Sequence, residues 1–210
     1  MLTGQRSVSE SAADIAPNSV APEDELRAQV YRLLSGLLGS APTAEALHAV
    51  AALRGNETAL GTTVSQLAHA ASVARPNQLT IEYQELFIGL GRGELVPYAS
   101  FYLTGFLHEK PLARLRQDMD RLGVERNEGV AEPEDHIASV LEMMAGLAEG
   151  SLVPDEGEVG QRKFFDAHVG SWAPYFFRDL AATDLSPFYA AVGAVGAEFL
   201  AIEQRAFEMV

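Results

Sequence analysis

The chain has 210 residues, 48% of them hydrophobic and 21% charged, with a formal net charge of −14. Such a length suits one domain burying roughly 70% of its unfolded surface, and the apolar content excludes global disorder. The acidic balance speaks against DNA, RNA and anionic membranes, which need a basic footprint; it suits a cationic partner or a solvated acidic surface. Cysteine is absent, which removes disulfides, thiolate zinc sites, iron–sulfur ligation and a cysteine nucleophile, and suits a reducing compartment.

Residues 1–21 mix Ser, Ala, Gly and Pro without periodicity and read as a mobile tail ahead of a helical domain over 22–210. The N-terminus has no apolar core of signal-peptide length. Pro22-Glu23-Asp24-Glu25 is an acidic first turn. The helix after it sets Leu26, Val30, Leu33 and Leu37 on one stripe, with Leu34 and Leu38 beside it, and closes at Gly39. Thr43 caps a second helix to about 54, and a third over about 58–74 is stopped by Arg75-Pro76. A fourth, over 77–90, carries Tyr83, Leu86, Phe87 and Leu90 on its apolar face. The stretch 89–97 is a loop by its glycines and Pro97, and 98–107 is short and aromatic. Pro111 begins another helix, with Leu112, Leu115, Met119 and Leu122 inward, Arg114, Arg116, Asp118 and Asp120 outward, and Gly123 at its end.

Glu132-Pro133-Glu134-Asp135-His136 precedes Ile137, Val140, Leu141 and Met144, apolar residues at i, i+3, i+4 and i+7. Proline suits the first helical position, and the carboxylates beside it face unpaired amides at the positive end of the dipole. That helix runs to about 149, and 151–160 is a Pro/Gly/acidic loop. Phe164, Phe165, His168, Val169, Trp172 and Phe176 form an aromatic face, with Pro174 marking a kink or a break. His168 there reads as a core or rim histidine bonded to a carbonyl. Ser186-Pro187 opens the last helix, whose Val192, Val195, Phe199, Ile202 and Ala206 point one way. Its most apolar stretch, 188–197, is too short to span a bilayer. No period-2 strand, repeat or heptad array is present. The expected fold class is all-α, a single globular domain of roughly nine helices.

The catalytic signatures sought are missing: no phosphate-binding Gly-x-x-x-x-Gly-Lys loop, no Gly-x-Ser-x-Gly elbow, no His-Glu-x-x-His and no EF-hand loop. Gly89, Gly91 and Gly93 could offer amides to a phosphate, but a dinucleotide fingerprint needs a strand before it, so a flexible loop is the simpler reading. Adjacent helical residues diverge by about 100°, so Asp135 and His136 would not chelate one ion. As a catalytic pair they lack a nucleophile. Periodicity alone makes Tyr83, Leu86 and Phe87 core. The residues lead to a soluble, acidic, helical interaction protein with no catalytic and no metal-binding residues.

In order and spacing, Tyr83-Gln-Glu-Leu86-Phe87-Ile-Gly89, Pro97-Tyr98-Ala-Ser100-Phe-Tyr102, Glu132-Pro133-Glu134-Asp135-His136, and Phe165 with His168 and Trp172 resemble the TorD/DmsD family. These are cytoplasmic chaperones that mature molybdenum-containing oxidoreductases. The resemblance covers about 79–180. It implies a TorD-like all-α fold, a cytoplasmic location and a non-enzymatic role. Members bind the N-terminal, often twin-arginine, signal peptide of a molybdoenzyme catalytic subunit, and in some cases its body, until cofactor insertion and export.

On that resemblance, peptide binding falls to Tyr83, Leu86 and Phe87 on one side and to Pro133, Asp135 and His136 on the other, with Tyr98, Ser100 and Tyr102 between. Tyrosine stands at 83 where some members carry tryptophan. A signal peptide has a basic end and an apolar run, so its receptor needs an apolar groove with carboxylates at one end. Leu86 and Phe87 would supply the groove. Asp135, helped by Glu132 and Glu134, would meet an arginine, while Pro133 and Glu134 start the helix and His136 serves as a hydrogen-bonding member. No cofactor is required. The alternatives are a switch or enzyme that weakly binds GTP or molybdenum cofactor through the 89–93 loop and Asp135/His136, and a permanent subunit of an oxidoreductase complex. The chain is expected as a monomer or homodimer, and its client is not legible.

Overall fold

In the computed structural model, residues 20–89, 93–125, 132–152 and 157–210 are described, and among them every regular element is helical. Four helices, α1 (Pro22–Gly39), α2 (Ala44–Ala51), α3 (Ala59–Val73) and α4 (Pro76–Tyr83), lead into a π-helical turn at Gln84–Ile88. Next come α5 (Ala99–Thr104), α6 (Lys110–Leu122) and α7 (Ile137–Ala148). Helix α8 (Glu158–Phe165) runs into a second π turn, Asp166–Gly170, followed by α9 (Ala173–Ala181) and α10 (Pro187–Phe207). The tail expected over 1–21 lies outside the described residues except for its last two, as do residues 90–92 of the glycine loop. The 164–176 face is two helices and a π turn rather than one kinked rod. Its break comes at Gly170–Trp172, and Pro174 already sits in the first turn of α9.

Local chemistry accounts for the ends. Proline occupies the first turn of α1, α4, α6, α9 and α10, where its missing N–H leaves no bond unmade. Thr43, Thr58 and Ser186 accept from the amides of Ala46, Gly61 and Tyr189. Gly105 and Gly123 close α5 and α6 in the left-handed conformation.

Helix α7 is the centre of the domain. Ten of its twelve residues are buried, which makes it apolar almost all round, as a helix enclosed by others must be. Helix α1 lies along it, α9 packs on α10, and α3 packs on α2 and α10. The stripe expected on α1 is rotated. Ala28, Tyr31, Leu34, Leu37 and Leu38 are the buried residues, whereas Leu26 is 62% exposed. The cause is tertiary: α1 turns toward α7 and α10, where Arg27 and Tyr31 meet Glu203, and Leu26, Val30 and Leu33 are left lining an open cleft with Leu53, Leu60 and Val64. The far end of α10 shifts in the same way. After Phe199 the buried line continues through Glu203 and Phe207, so Ile202 is exposed and Ala206 only half-buried. No described helix is long and apolar enough to cross a membrane.

Candidate functional site

The two motifs, nearly forty residues apart, meet through their backbones. The Ala99 N–H donates to the Asp135 carbonyl at 3.0 Å and the Ile137 N–H to the Pro97 carbonyl at 2.8 Å, so that Tyr98 and His136 face each other as an isolated antiparallel pair. Each of the two is the extended residue before a helix, Tyr98 before α5 and His136 before α7. Two helix starts are therefore stapled together at this seam.

The side chains complete the staple. Asp135 is only 1% exposed, and its Oδ2 accepts from the Ser100 N–H at 2.8 Å. That amide belongs to the first turn of α5, which has no cap from its own residues, so Asp135 caps α5 from across the seam. Among the described residues its Oδ1 and the Ser100 Oγ are buried without a hydrogen-bond partner. His136 caps its own helix, its Nδ1 accepting from the Ala138 N–H at 3.2 Å. The His136 ring meets the Tyr98 ring edge-on at 5.1 Å, and the Tyr98 hydroxyl donates to Glu132. Glu134 is held by Arg116, whose Nε and Nη2 donate at 3.1 and 2.8 Å.

Burial pushes His136 down to about 4, against the opposing pull of Glu132 and Asp135. The geometry supplies a further reason. Protonating Nδ1 would abolish the cap and set a positive charge at the positive end of α7. Between about pH 6.5 and 4 the unfolded chain thus takes up a proton that the folded chain refuses, and stability falls as pH falls through that window, on the order of 2–3 kcal/mol. His136→Asn keeps a good cap and loses the titration. In urea unfolding at pH 7 and pH 5 it should lose less stability on acidification than the wild type. Some loss will remain, because burial also lowers His168. Equal losses in the two proteins would show that His136 titrates normally.

Several expectations are corrected here. Pro133 is not the first residue of the helix. It sits in the turn before it, where its carbonyl accepts from the His136 N–H at 3.1 Å, and α7 begins at Ile137. The chain has to stay extended at His136 to pair with Tyr98. Asp135 and His136 are consequently interior groups that position helices, not side chains turned outward. Leu86 and Ser100 are fully buried, while Phe87 beside Leu86 is half-buried. His168 pairs with a carboxylate, its Nε2 2.7 Å from Asp118 Oδ2, while its own carbonyl accepts from the Trp172 indole at 2.7 Å.

The remaining site residues keep some surface. Tyr83 donates to the Leu38 carbonyl at 3.1 Å and packs on Phe87 and Tyr189. Phe87 reaches Phe176, which lies against Tyr102, and Tyr102 in turn packs on Trp172 and donates to Asp179 at 3.2 Å. Tyr83, Phe87, Phe176, Tyr102 and Trp172 thereby form one aromatic row. Its Tyr83 end lies within the field of Glu132: the phenol is raised by burial first and by that carboxylate second. Tyr98 is raised by burial, by its bond to Glu132, and by the charges around it, so it stays a donor. The π turn at Gln84–Ile88 carries both the buried Leu86 and Phe87 of the row.

The glycine loop is bonded back onto that turn. The amides of Gly89, Glu94 and Leu95 donate to the carbonyls of Gln84, Glu85 and Leu86. A Cβ at Gly93 would come within 2.5 Å of the Leu86 carbonyl oxygen, so glycine is required there by close packing. Of the glycines read as offering amides to a phosphate, Gly89 has its N–H bonded within the turn, and Gly91 lies outside the described residues. Among the described residues no group of three His, Asp or Glu side chains could hold a metal ion. Sequence reasoning missed the Arg116–Glu134 and Asp118–His168 pairs. Arg116 and Asp118 lie on α6, Glu134 in the turn before α7 and His168 in the second π turn, and nothing in a periodicity marks such a long-range ion pair.

A family model described as nitrate reductase delta subunit matches residues 54–178, a span that includes both sides of the seam and the aromatic row. The chain is 26% identical over 209 residues to the chaperone protein TorD of Aliivibrio fischeri, covering 90% of this chain and 97% of that one. With TorD of Vibrio atlanticus the identity is 27% over 204 residues, covering 87% and 94%. The crystal structure of a protein described as a redox enzyme maturation protein from Archaeoglobus fulgidus shares the fold, with a TM-score of 0.53 and 22% identity over 84% of this chain and 94% of that one. Matched over more than half its length and across every element of the seam, this chain belongs to the nitrate reductase delta subunit family, the TorD family of chaperones.

Proposed function

We infer that this chain is a non-enzymatic chaperone in the maturation of a molybdenum-cofactor oxidoreductase. It acts in the cytoplasm on the client's N-terminal signal peptide before export, and it holds that peptide on the face organised by the seam. The observation that carries this reading is the convergence of the family's two motifs on one acidic, aromatic-edged surface, with Tyr98, Glu132 and the end of the aromatic row side by side. A guest with a basic end and an apolar run finds carboxylates and rings there in the right order. The surplus of negative charge on the chain would speed the encounter at low salt.

Asp135 serves this site as a positioning residue. Replacing it with alanine strips the cap from α5 and leaves Tyr98 free to drift from Glu132. In a pull-down with the client's signal peptide, the wild type should be retained and Asp135→Ala retained several-fold less. Asp135→Asn, which keeps an acceptor for the Ser100 N–H, should recover most of the binding. Equal retention of the wild type and an Asp135→Ala, His136→Ala double variant would count against this face.

A further inference from the structure

We propose that the guest's arginine-bearing segment lies in the cleft between α1 and α7, with Glu125, Glu132 and Glu142 as its carboxylate rim; this rests on the chaperone reading above. The cleft encloses about 640 Å³, within the range of sites that enclose ligands. It follows α1 from Arg32 to Gly39 and α7 from Ala138 to Gly146, about 10–12 Å at 1.5 Å per residue. That length accommodates roughly three or four residues of an extended guest. The floor is apolar and adaptable, formed by Gly36, Gly39, Ala138, Met119 and Met143.

Its charge selects the occupant. Among the described residues four glutamates line it, Glu134 in addition to the three named, against the single cation Arg32. Two of the four already hold guanidinium groups of the chain itself: Arg116 binds Glu134 at 2.8 Å, and Arg32 stands 3.6 Å from Glu142 while also binding Glu149. The chemistry on display is guanidinium on carboxylate, which is geometrically more selective than attraction to any cation. Glu132 is the member shared with the seam, held at the cleft edge by the Tyr98 hydroxyl.

Gly36 is the second observation. It lies inside α1 and faces solvent, and a Cβ built on it meets nothing within 4 Å among the described residues. Neither a left-handed turn nor packing requires glycine there, and a helix interior is where glycine is least favourable. What it provides is an unobstructed strip of helix backbone along the cleft floor.

The test uses a labelled synthetic peptide with an Arg-Arg pair followed by an apolar run, and its Gln-Gln counterpart, read by fluorescence anisotropy. The wild type is expected to bind the arginine peptide and not the glutamine one. Gly36→Phe, which fills the cleft from its floor, should weaken binding by about tenfold or more, and Gly36→Ala should raise the thermal midpoint by about 2–4 °C. A Glu132→Gln, Glu142→Gln pair should also cost about tenfold, the scale of one charge-assisted contact, and flatten the salt dependence. Undiminished arginine-dependent binding by both the Gly36→Phe and the double-glutamine variants would overturn the cleft and leave the chaperone reading standing. Absence of arginine-dependent binding by the wild type would overturn both.

Discussion

Replacing Glu203 with alanine is expected to lower the unfolding free energy by about 3–5 kcal/mol, the cost of leaving a buried charge without its partner. Glu203 is 1% exposed on α10 and accepts from Arg27 Nε and Nη2, both at 2.8 Å, and from the Tyr31 hydroxyl at 2.7 Å. Burial lowers the Arg27 guanidinium, but its bonds and charge contact with Glu203 outweigh that and hold it above its ordinary value. Removing the carboxylate strands a largely buried guanidinium and a fully buried phenol. Arg27 keeps Asp24 at 2.6 Å and its place over the Phe207 ring, so the lower half of the range is favoured. A loss near 3 kcal/mol would lower the thermal midpoint of a chain this size by about 6–12 °C. Glu203→Gln should cost less than alanine but still destabilise, because its amide would turn N–H donors toward a donor. Denaturant unfolding with an unchanged slope checks the prediction. A loss below about 1 kcal/mol would mean that Arg27 transfers to Asp24 and water at little cost.

The second large effect is expected at Gly193, where α10 lies directly against the end of α9. A Cβ there would approach the Cα of Ala181 and the carbonyl carbon of Leu180 to 2.8 Å, and the Ala181 nitrogen more closely still. These are backbone atoms and cannot rotate aside, so α9 must move. Gly193→Ala should cost about 2–3 kcal/mol in spite of the roughly 1 kcal/mol that alanine gains in a helix. Movement of α9 carries Phe176 with it and disturbs the row that joins Phe87 to Tyr102. Trp172, the only tryptophan, packs against both Tyr102 and Phe176, so its fluorescence should change along with the stability. An unshifted spectrum and a loss within a few tenths of a kcal/mol would show that the two helices separate freely. Gly36→Ala is the natural contrast, since the same substitution there meets nothing within 4 Å among the described residues.

The two positions show why some of the molecule is readable from residues and some is not. Helix starts at Pro22, Thr43, Thr58 and Ser186 were expected because a cap or a proline acts on amides within the same turn. The apolar period of α7 likewise belongs to the segment itself. The faces of α1 and α10 were misjudged by part of a turn, and for one reason: Glu203 looks solvent-facing by residue type, and only the arrival of Arg27 and Tyr31 takes it inside.

The candidate site divides in the same manner. Tyr83, Leu86, Phe87, Tyr98, Ser100, Tyr102, Glu132, Pro133, Asp135 and His136 were named from their order and spacing, and the fold gathers Tyr98, Ser100, Glu132, Asp135 and His136 at one seam. Their roles were not identifiable. A Pro-Glu-Asp-His run reads as a helix start with its charges in water, because that is its least costly local arrangement. Pairing of Asp135 and Ile137 with Pro97 and Ala99 moves the helix start to Ile137 and turns the carboxylate into the cap of another helix. The cleft beside it is composed of Gly36 on one helix and Glu142 on another, which no spacing along the chain connects. By itself the sequence determined the helical class, the helix starts marked by proline or a hydroxyl cap, and the acidic balance, because these depend on bonds within a turn and on composition. Only the tertiary structure decided which residues are buried as staples and which line an open cleft, because burial depends on what arrives from elsewhere in the chain.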